Sequence, residues 1–442
     1  MRGPLGGVSR QSSKPMPTKT TLDALADLFR QAAAAIQGLP QGPARFVGAT
    51  ALFDSDRDRV INQLPAFAPT EHALRNDEDL IRLYGPENAA RLALQFVYES
   101  WNRTASGASI DQALEAASEA FEAEAATPTW RFTAIANINN FSYNGTFVDL
   151  GDGVSIQGRN FERLVTEYGW DDLDLARLSE DWSAGGGASS YILVVETKAP
   201  KTPANFVLSS DGASYGLSAR ALLALRLSGP GSVSTGRFAL HRPGHFNVGV
   251  GGRAYSGMTL WIPGSPYVLT DDMLPAVRSQ IQTLRSVETV LNTSARHVGL
   301  ALRSFSSTYD RLFHQGEDAV LDCITALEAL WKLDGELAFR VAFRTSTLLE
   351  EQDDHRDSLF DLLRTYYKLR SKIVHGTVLG PKEQALLTSV EDLRSVVRRT
   401  LSAFLHLLAH PGEWSIGRIS KDPDRLLLHG EHRRSLQRAM GL

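Results

Sequence analysis

The sequence predicts an α+β protein of several parts: a helical N-terminal region, a β-rich module, and an all-α bundle towards the C-terminus. Three observations predict it. The last long apolar segment carries Leu386, Val390, Leu393, Val397, Leu401, Phe404 and Leu408 at intervals of 4, 3, 4, 4, 3 and 4, the spacing of one helix face. From Trp130 to Thr270 the chain breaks into short apolar runs separated by Gly, Asn, Asp and Pro. Before that, Leu- and Ala-rich stretches with helical spacing alternate with stop signals.

The elements follow in order. Met1–Lys19 is rich in Gly, Pro, Ser and basic residues and has no apolar stretch of signal-peptide type, so residues 1–20 read as a disordered leader. Leu22, Leu25, Leu28 and Phe29 place a helix over 21–37, which Gly38-Leu39-Pro40 ends. Further helices are expected near 70–83, 86–102 and 109–125, completing a helical region over 21–128.

Strands are expected at Arg131–Asn137, Gly145–Leu150, Tyr191–Thr197, Phe206–Leu208 and Leu222–Leu227, with Thr259–Ile262 the last clear one. Asn144-Gly145 and Gly151-Asp152-Gly153 are hairpin-type turn signals. Together they define a β-rich module over 129–270. A long helix opened by Asp271 or Asp272 and running to Leu291, a segment at 296–314, and helices near 317–332, 336–351, 355–375 and 382–409 make a bundle over 271–410. Residues 411–442 form a C-terminal extension. The stripe on the last bundle helix fits a bundle core or a dimer seam equally well.

Composition bounds the function classes. The chain has 442 residues, 43% hydrophobic and 22% charged, which is ordinary for a globular protein with two or three cores. A net charge of −4 argues against a surface coated for bulk nucleic-acid binding, so any RNA site must be a local basic pocket. The single cysteine, Cys323, lies on an apolar helix; it excludes an internal disulfide framework and suits a reducing cytoplasm. No apolar run approaches the roughly 20 residues that span a bilayer. The expectation is a cytoplasmic protein without a membrane segment. His241-Arg-Pro-Gly-His245 spaces two histidines four apart, but Pro243 and Gly244 break any helix, so no metal and no cofactor is expected. Gly249-Val-Gly-Gly252 lacks the strand–turn–helix setting of a dinucleotide loop.

The chemistry concentrates in Tyr366-Tyr-Lys-Leu-Arg-Ser-Lys-Ile-Val-His-Gly376. Arg370 offers a planar fork of donors that matches phosphate oxygens, and His375 can take and give a proton near neutral pH. Five residues on a helix turn through about 500° and rise about 7.5 Å, so the two side chains point roughly 140° apart. Arg and His in a last turn also complement the helix dipole, and Gly is a common helix stop. The spacing alone therefore does not single out a catalyst. Tyr366 is in register with Leu362, Leu369 and Ile373 and belongs to the core, whereas Tyr367 is placed for solvent or base contact. Arg364, Lys368 and Lys372 recur every four residues and form a basic stripe, and Arg394, Arg398 and Arg399 on the last helix read similarly.

The surrounding text adds to this motif. Asp322-Cys-Ile-Thr-Ala-Leu-Glu-Ala-Leu-Trp331, then Glu336-Leu-Ala-Phe-Arg-Val-Ala-Phe-Arg-Thr-Ser-Thr-Leu-Leu349, then Leu359 through Gly376 resembles the HEPN superfamily, and specifically its ApeA-like branch of bacterial defence proteins. The resemblance covers about residues 290–410; residues 1–270 resemble no family by their motifs. It implies a HEPN helical bundle that pairs as a homodimer or higher homo-oligomer, so that two R-x4–6-H motifs form one composite, metal-independent ribonuclease site. It implies Arg370 and His375 as the catalytic pair; beside them Ser371 and Lys372 are expected to give supporting contacts, and Tyr367, Lys368 and Arg364, by their own placement, to contact RNA. Many members have Asn, Asp or His after the arginine, where this chain has Ser371. The expected function is a toxin-like endoribonuclease of anti-phage defence, with an RNA substrate and a phage-derived trigger; residues 1–270 are expected to sense the trigger or restrain the active site, with 129–270 as the sensing or regulatory module. The rival expectation is a non-catalytic HEPN module that dimerises or binds a nucleic-acid or protein partner.

Overall fold

The computed structural model describes residues 16–36, 45–47, 50–52, 55–105, 107–160, 191–203, 213–241, 255–256, 265–310, 315–332 and 335–442. The protein is α+β: helical at both ends with an antiparallel sheet between.

The N-terminal helices are α1 (Lys19–Ile36), α2 (Ser55–Asn62), α3 (Phe67–Asn76), α4 (Glu78–Tyr84), α5 (Pro86–Ala105) and α6 (Ile110–Ala126). The single helix expected over 70–83 is two, because Asp77 leaves helical geometry and its carboxylate caps α4 at the Leu80 amide, 3.2 Å away. That carboxylate also accepts from the Thr18 amide and the Thr21 hydroxyl, tying α1 to the turn. Leu25, Leu28, Phe29, Leu80, Phe96, Val97 and Phe121 form the core of this region, which also takes in Trp130. A short hairpin, β1 (Arg45–Val47) with β2 (Thr50–Leu52), follows α1.

The main sheet runs in the order β5–β6–β7–β3–β8–β9, all antiparallel: β5 (Phe147–Gly151), β6 (Val154–Gly158), β7 (Tyr191–Pro200), β3 (Thr129–Asn139), β8 (Ser234–His241) and β9 (Tyr255–Ser256). Gly151-Asp152-Gly153 turns β5 into β6 as expected, with φ of 86°, 54° and 76°, a left-handed run that glycine and aspartate tolerate best. Asn144-Gly145 does not close a hairpin. It links β4 (Phe141–Ser142), paired in parallel with β10 (Tyr267–Val268), to the edge of the main sheet. The expected strands at 206–208 and 259–262, the 242–245 part of the histidine pair, the 249–252 glycines and the 1–15 part of the leader lie outside the described residues.

Leu222–Leu227 is not a strand. It belongs to α7 (Ala213–Ser228), which lies on the sheet with Ala221, Ala224, Leu225 and Leu227 buried and Leu222 and Leu223 partly buried. A helix packed on more than one side is apolar nearly all round, so it loses the period that would identify it.

The bundle comprises α8 (Leu274–Ser286), α9 (Glu288–Asn292), α10 (Arg296–Ser307), α11 (Gln315–Trp331), α12 (Leu337–Leu349), α13 (Asp353–Val374), α14 (Pro381–Thr388) and α15 (Val390–Ala409). Asp271 and Asp272 sit in a 3-10 turn ahead of α8, and Asp271 accepts from the Tyr143 hydroxyl at 2.8 Å. The helix expected over 382–409 breaks at Ser389. The Tyr366 hydroxyl donates to carbonyls released there, Ser389 at 2.9 Å and Leu386 at 3.3 Å. The apolar stripe of α15 is bundle core: Val390, Leu393, Val397, Leu401 and Phe404 are buried.

The sheet, α7 and the bundle share one core, in which Ala134, Ile138, Leu193 and Val195 join Ile281, Phe305, Leu327 and Phe404. Among the described residues this core continues across 270. The C-terminal extension belongs to the same core through Trp414, Leu427, Leu436 and Met440. It folds as α16 (Ile416–Ile419), α17 (Pro423–Leu428) and α18 (Gly430–Ala439). Arg344 of α12, 4% exposed, holds Asp424 of α17 through two bonds of 2.6 and 2.9 Å, which keeps the Asp424 carboxyl below the usual range. Among the described residues no helix is long and apolar enough to cross a membrane.

Candidate functional site

The Arg370–His375 motif occupies the last turn and cap of α13. Leu359, Leu363, Tyr366 and Leu369 bury one face of this helix against the bundle, which turns the opposite face to solvent. The helix stops at a complete Schellman turn. Gly376 adopts φ +63°, its amide donates to the Ile373 carbonyl (3.0 Å), and the Thr377 amide reaches back to Lys372 (2.9 Å). Glycine is needed there because a side chain at positive φ is strained. His375 is the cap residue just before it, with φ −86° and ψ 5°.

The imidazole of His375 is exposed and makes no hydrogen bond or ion pair to any described residue. By helical rotation it falls within about 40° of Arg364 and Lys368, so the three share one outward face. Both basic residues are exposed; the Arg364 guanidinium lies 5.7 Å from the Phe360 ring centroid, and Lys368 has no polar partner among the described residues. Val374, 54% exposed, and Val378, 94% exposed, flank the histidine with apolar surface.

Arg370 points elsewhere, back along the bundle. Its Nη2 lies 4.0 Å from Oε2 of Glu328 on α11, and its guanidinium is 5.8 Å from the Tyr367 ring centroid. The Tyr367 hydroxyl donates to Glu328 Oε1 at 2.6 Å. Burial, then the bond to Glu328 and its negative charge, push the Tyr367 phenol up to about 12, with Arg370 pulling the other way. Tyr367 is thus half-buried and committed through its hydroxyl, and not the open aromatic platform that the spacing suggested. Tyr366 is fully buried, as its register required.

Lys372 does not join the outward face. Its Nζ pairs with Glu383 of α14 at 2.6 Å, and the bond holds the Glu383 carboxyl below its usual range. Ser371 is half-buried, and its hydroxyl has no partner among the described residues.

The arginines of α15 differ from expectation. Arg394 and Arg398 are 9% and 8% exposed and are spent on internal acceptors. Arg394 donates to the Thr308 carbonyl at 2.5 Å and hydroxyl at 3.2 Å. Arg398 donates to the Arg226 carbonyl (2.8 Å), the Tyr309 hydroxyl (3.0 Å) and Glu391 (2.7 Å). Arg399 pairs with Glu350 at 2.8 Å. Buried acceptors drew the first two inward, because a buried carbonyl without a donor is costly.

Glu328 is the site residue that motif reading missed. It stands alone as an acid in Cys323-Ile-Thr-Ala-Leu-Glu-Ala-Leu-Trp331, and a lone charge in an apolar helix stretch implies a partner. Cys323 is buried and its thiol is pushed up to about 12 by burial, the behaviour of a structural thiol. Among the described residues no group of three or more His, Cys, Asp or Glu is placed to hold a metal ion.

The arrangement offers an imidazole facing solvent with two cations on its face, and a guanidinium fork that lies against a carboxylate of α11. No family model matches the chain, and no curated protein or solved structure matches it either.

Proposed function

We propose that the chain is a homodimeric, metal-independent endoribonuclease of the HEPN class, acting as a toxin-like effector in anti-phage defence. The observation that carries this reading is His375: exposed, unengaged, set by a Schellman turn, and aligned with Arg364 and Lys368. Within one protomer Arg370 and His375 diverge, so a phosphate needs contributions from two chains. The exposed Val374 and Val378 beside the histidine supply apolar surface for a two-fold contact.

In the proposed reaction a ribose 2′-OH attacks the adjacent phosphorus and the bond from phosphorus to the 5′-oxygen breaks. The products are a 2′,3′-cyclic phosphate and a 5′-OH end. One imidazole takes the 2′-OH proton and the second, from the other chain, protonates the leaving 5′-oxygen. Arg370 moves from Glu328 to the phosphate and stabilises charge in the transition state. Ser371 and Lys372 support the turn, and Lys368 and Arg364 contact the RNA backbone. The sheet region, which shares the bundle's core, would sense the trigger.

The second reading is a non-catalytic HEPN module for dimerisation or partner binding. It is favoured by the acids beside the motif, since Glu328 faces Arg370 and Glu383 holds Lys372. Incubating the purified chain with total RNA and excess chelator, alongside sedimentation, separates the two. Cyclic-phosphate ends from a dimer that His375→Ala abolishes are expected; a dimer that leaves RNA intact, with and without infected-cell extract, overturns the ribonuclease.

A further inference from the structure

A second cationic site lies outside the Arg370–His375 motif, in the C-terminal extension. Residues 411–442 hold six Lys or Arg against four Asp or Glu, a net of +2 in a chain of net charge −4. Two of those acids are committed elsewhere or nearby: Asp424 to Arg344, and Glu413 to Arg418 at 3.1 Å. Three of the six basic residues, Arg418, Lys421 and Arg425, line one solvent-open cavity of 260 Å³ between α16, α17 and the start of α18.

Its wall is built. The Arg418 guanidinium stacks 3.9 Å from the centroid of Trp414, and the buried Trp414 is itself fixed by an indole bond to Ser435 at 3.0 Å. Lys421, Arg425, His429 and His432 line the same cavity, all exposed. Their side chains make no hydrogen bond or ion pair to any described residue. The one acid in the lining, Asp422, already accepts the Arg425 backbone amide at 3.3 Å. Lys421 and Arg425 leave an excess of positive charge over the single carboxylate of Asp422 in this lining, which a bound polyanion relieves.

We propose that this pocket binds the phosphate groups of a small ligand, a nucleoside polyphosphate or free inorganic polyphosphate. The Arg425 fork and the Lys421 ammonium supply charge-assisted donors of the two kinds that grip phosphate. The volume lies just below the roughly 300–1,000 Å³ of small-molecule sites, which suits one phosphate-bearing unit and not a polymer. The His429 and His432 rings, 5.3 Å apart, and Leu426 give a base a surface to lie against. The proposal is independent of the ribonuclease reading.

Calorimetric titration of the full chain with ATP, inorganic pyrophosphate and adenosine tests it. Saturable binding of ATP or pyrophosphate and none of adenosine is expected. ATP binding tighter than pyrophosphate assigns the ligand as a nucleotide; equal binding assigns a free polyphosphate. Lys421→Gln with Arg425→Gln should weaken binding about 10-fold or more, while His375→Ala and Lys368→Gln leave it unchanged. If the double variant does not fold, each single variant serves. Absence of saturation by ATP and pyrophosphate, equal weakening by Lys368→Gln, or binding of short RNA alone through Lys421 and Arg425 overturns the proposal.

Discussion

Two basic stripes on two helices of one bundle have opposite fates. On α13, Arg364 and Lys368 face solvent with His375; on α15, Arg394 and Arg398 are buried in a network with Thr308, Tyr309, Glu391 and the Arg226 carbonyl. The spacing in sequence is alike. What separates them is the supply of acceptors: α15 runs past an open turn at 308–310 and a helix end at Arg226, whose carbonyls need donors. The outward face of α13 meets no such acceptors among the described residues. A periodic run of cations therefore reports a helix face, and the neighbouring backbone decides whether that face is buried or left open to solvent.

The strongest test of this contrast is His375→Ala. RNA cleavage should fall about 10²–10⁴-fold, the usual worth of a general acid–base group, with thermal stability within about 0.5 kcal/mol of wild type. A folded His375→Ala protein with unchanged cleavage would remove α13 from the chemistry. Next comes Arg398→Ala, which leaves Glu391, the Tyr309 hydroxyl and a buried carbonyl without their donor. A loss of about 2–4 kcal/mol in denaturant unfolding is expected; a loss under about 0.5 kcal/mol would erase the distinction between the stripes.

A smaller effect is expected of Arg370→Lys, which keeps the charge and loses the fork: cleavage should drop about 10-fold with RNA binding retained. Lysine giving wild-type rates would make Arg370 a source of field only. The smallest effect tests how Glu328 anchors this corner. In Glu328→Gln the Tyr367 phenol should titrate below its value of about 12, yet above the ordinary value of about 10, because burial is the larger cause of its shift. The sign follows: a raised phenol pKa stabilises the fold below pH about 10, and that contribution is lost as pH rises through about 12. The variant should show a narrower alkaline loss by absorbance titration; an unmoved Tyr367 would mean that Glu328 does not hold it.

Amphipathic helices were the legible part of this chain. The stripes of α1, α13 and α15 each name their buried face, and the positive-φ turn at Gly151-Asp152-Gly153 follows from residue type alone. Element breaks were less legible, because long-range partners make them. Asp77 ends α3 by collecting Thr18 and Thr21, and the break at Ser389 supplies carbonyls to Tyr366. Leu222–Leu227 lost its period to burial on several sides. Within the candidate site, the helix stop at Gly376 could be read from residue type, whereas spacing alone did not single out Arg370 and His375. The diversion of Tyr367 to Glu328 and of Lys372 to Glu383 could not be read, since both acids lie on other helices.

One strand has a thermodynamic consequence for the whole molecule. β3 begins with Trp130 in the core of the N-terminal helices and continues with Ala134, Ala136 and Ile138 in the core shared by sheet, bundle and C-terminal helices. Lys201, the residue after β7, seals the junction: its amine donates to the Glu124 carbonyl and lies 4.3 Å from the Trp130 ring centroid. Two apolar cores make two cooperative units, and a single strand common to both couples their melting. Heat-capacity scans should therefore resolve two overlapping transitions. The larger belongs to residues beyond 130 as one block, and Trp130→Ala should pull the smaller one down in temperature and away from it.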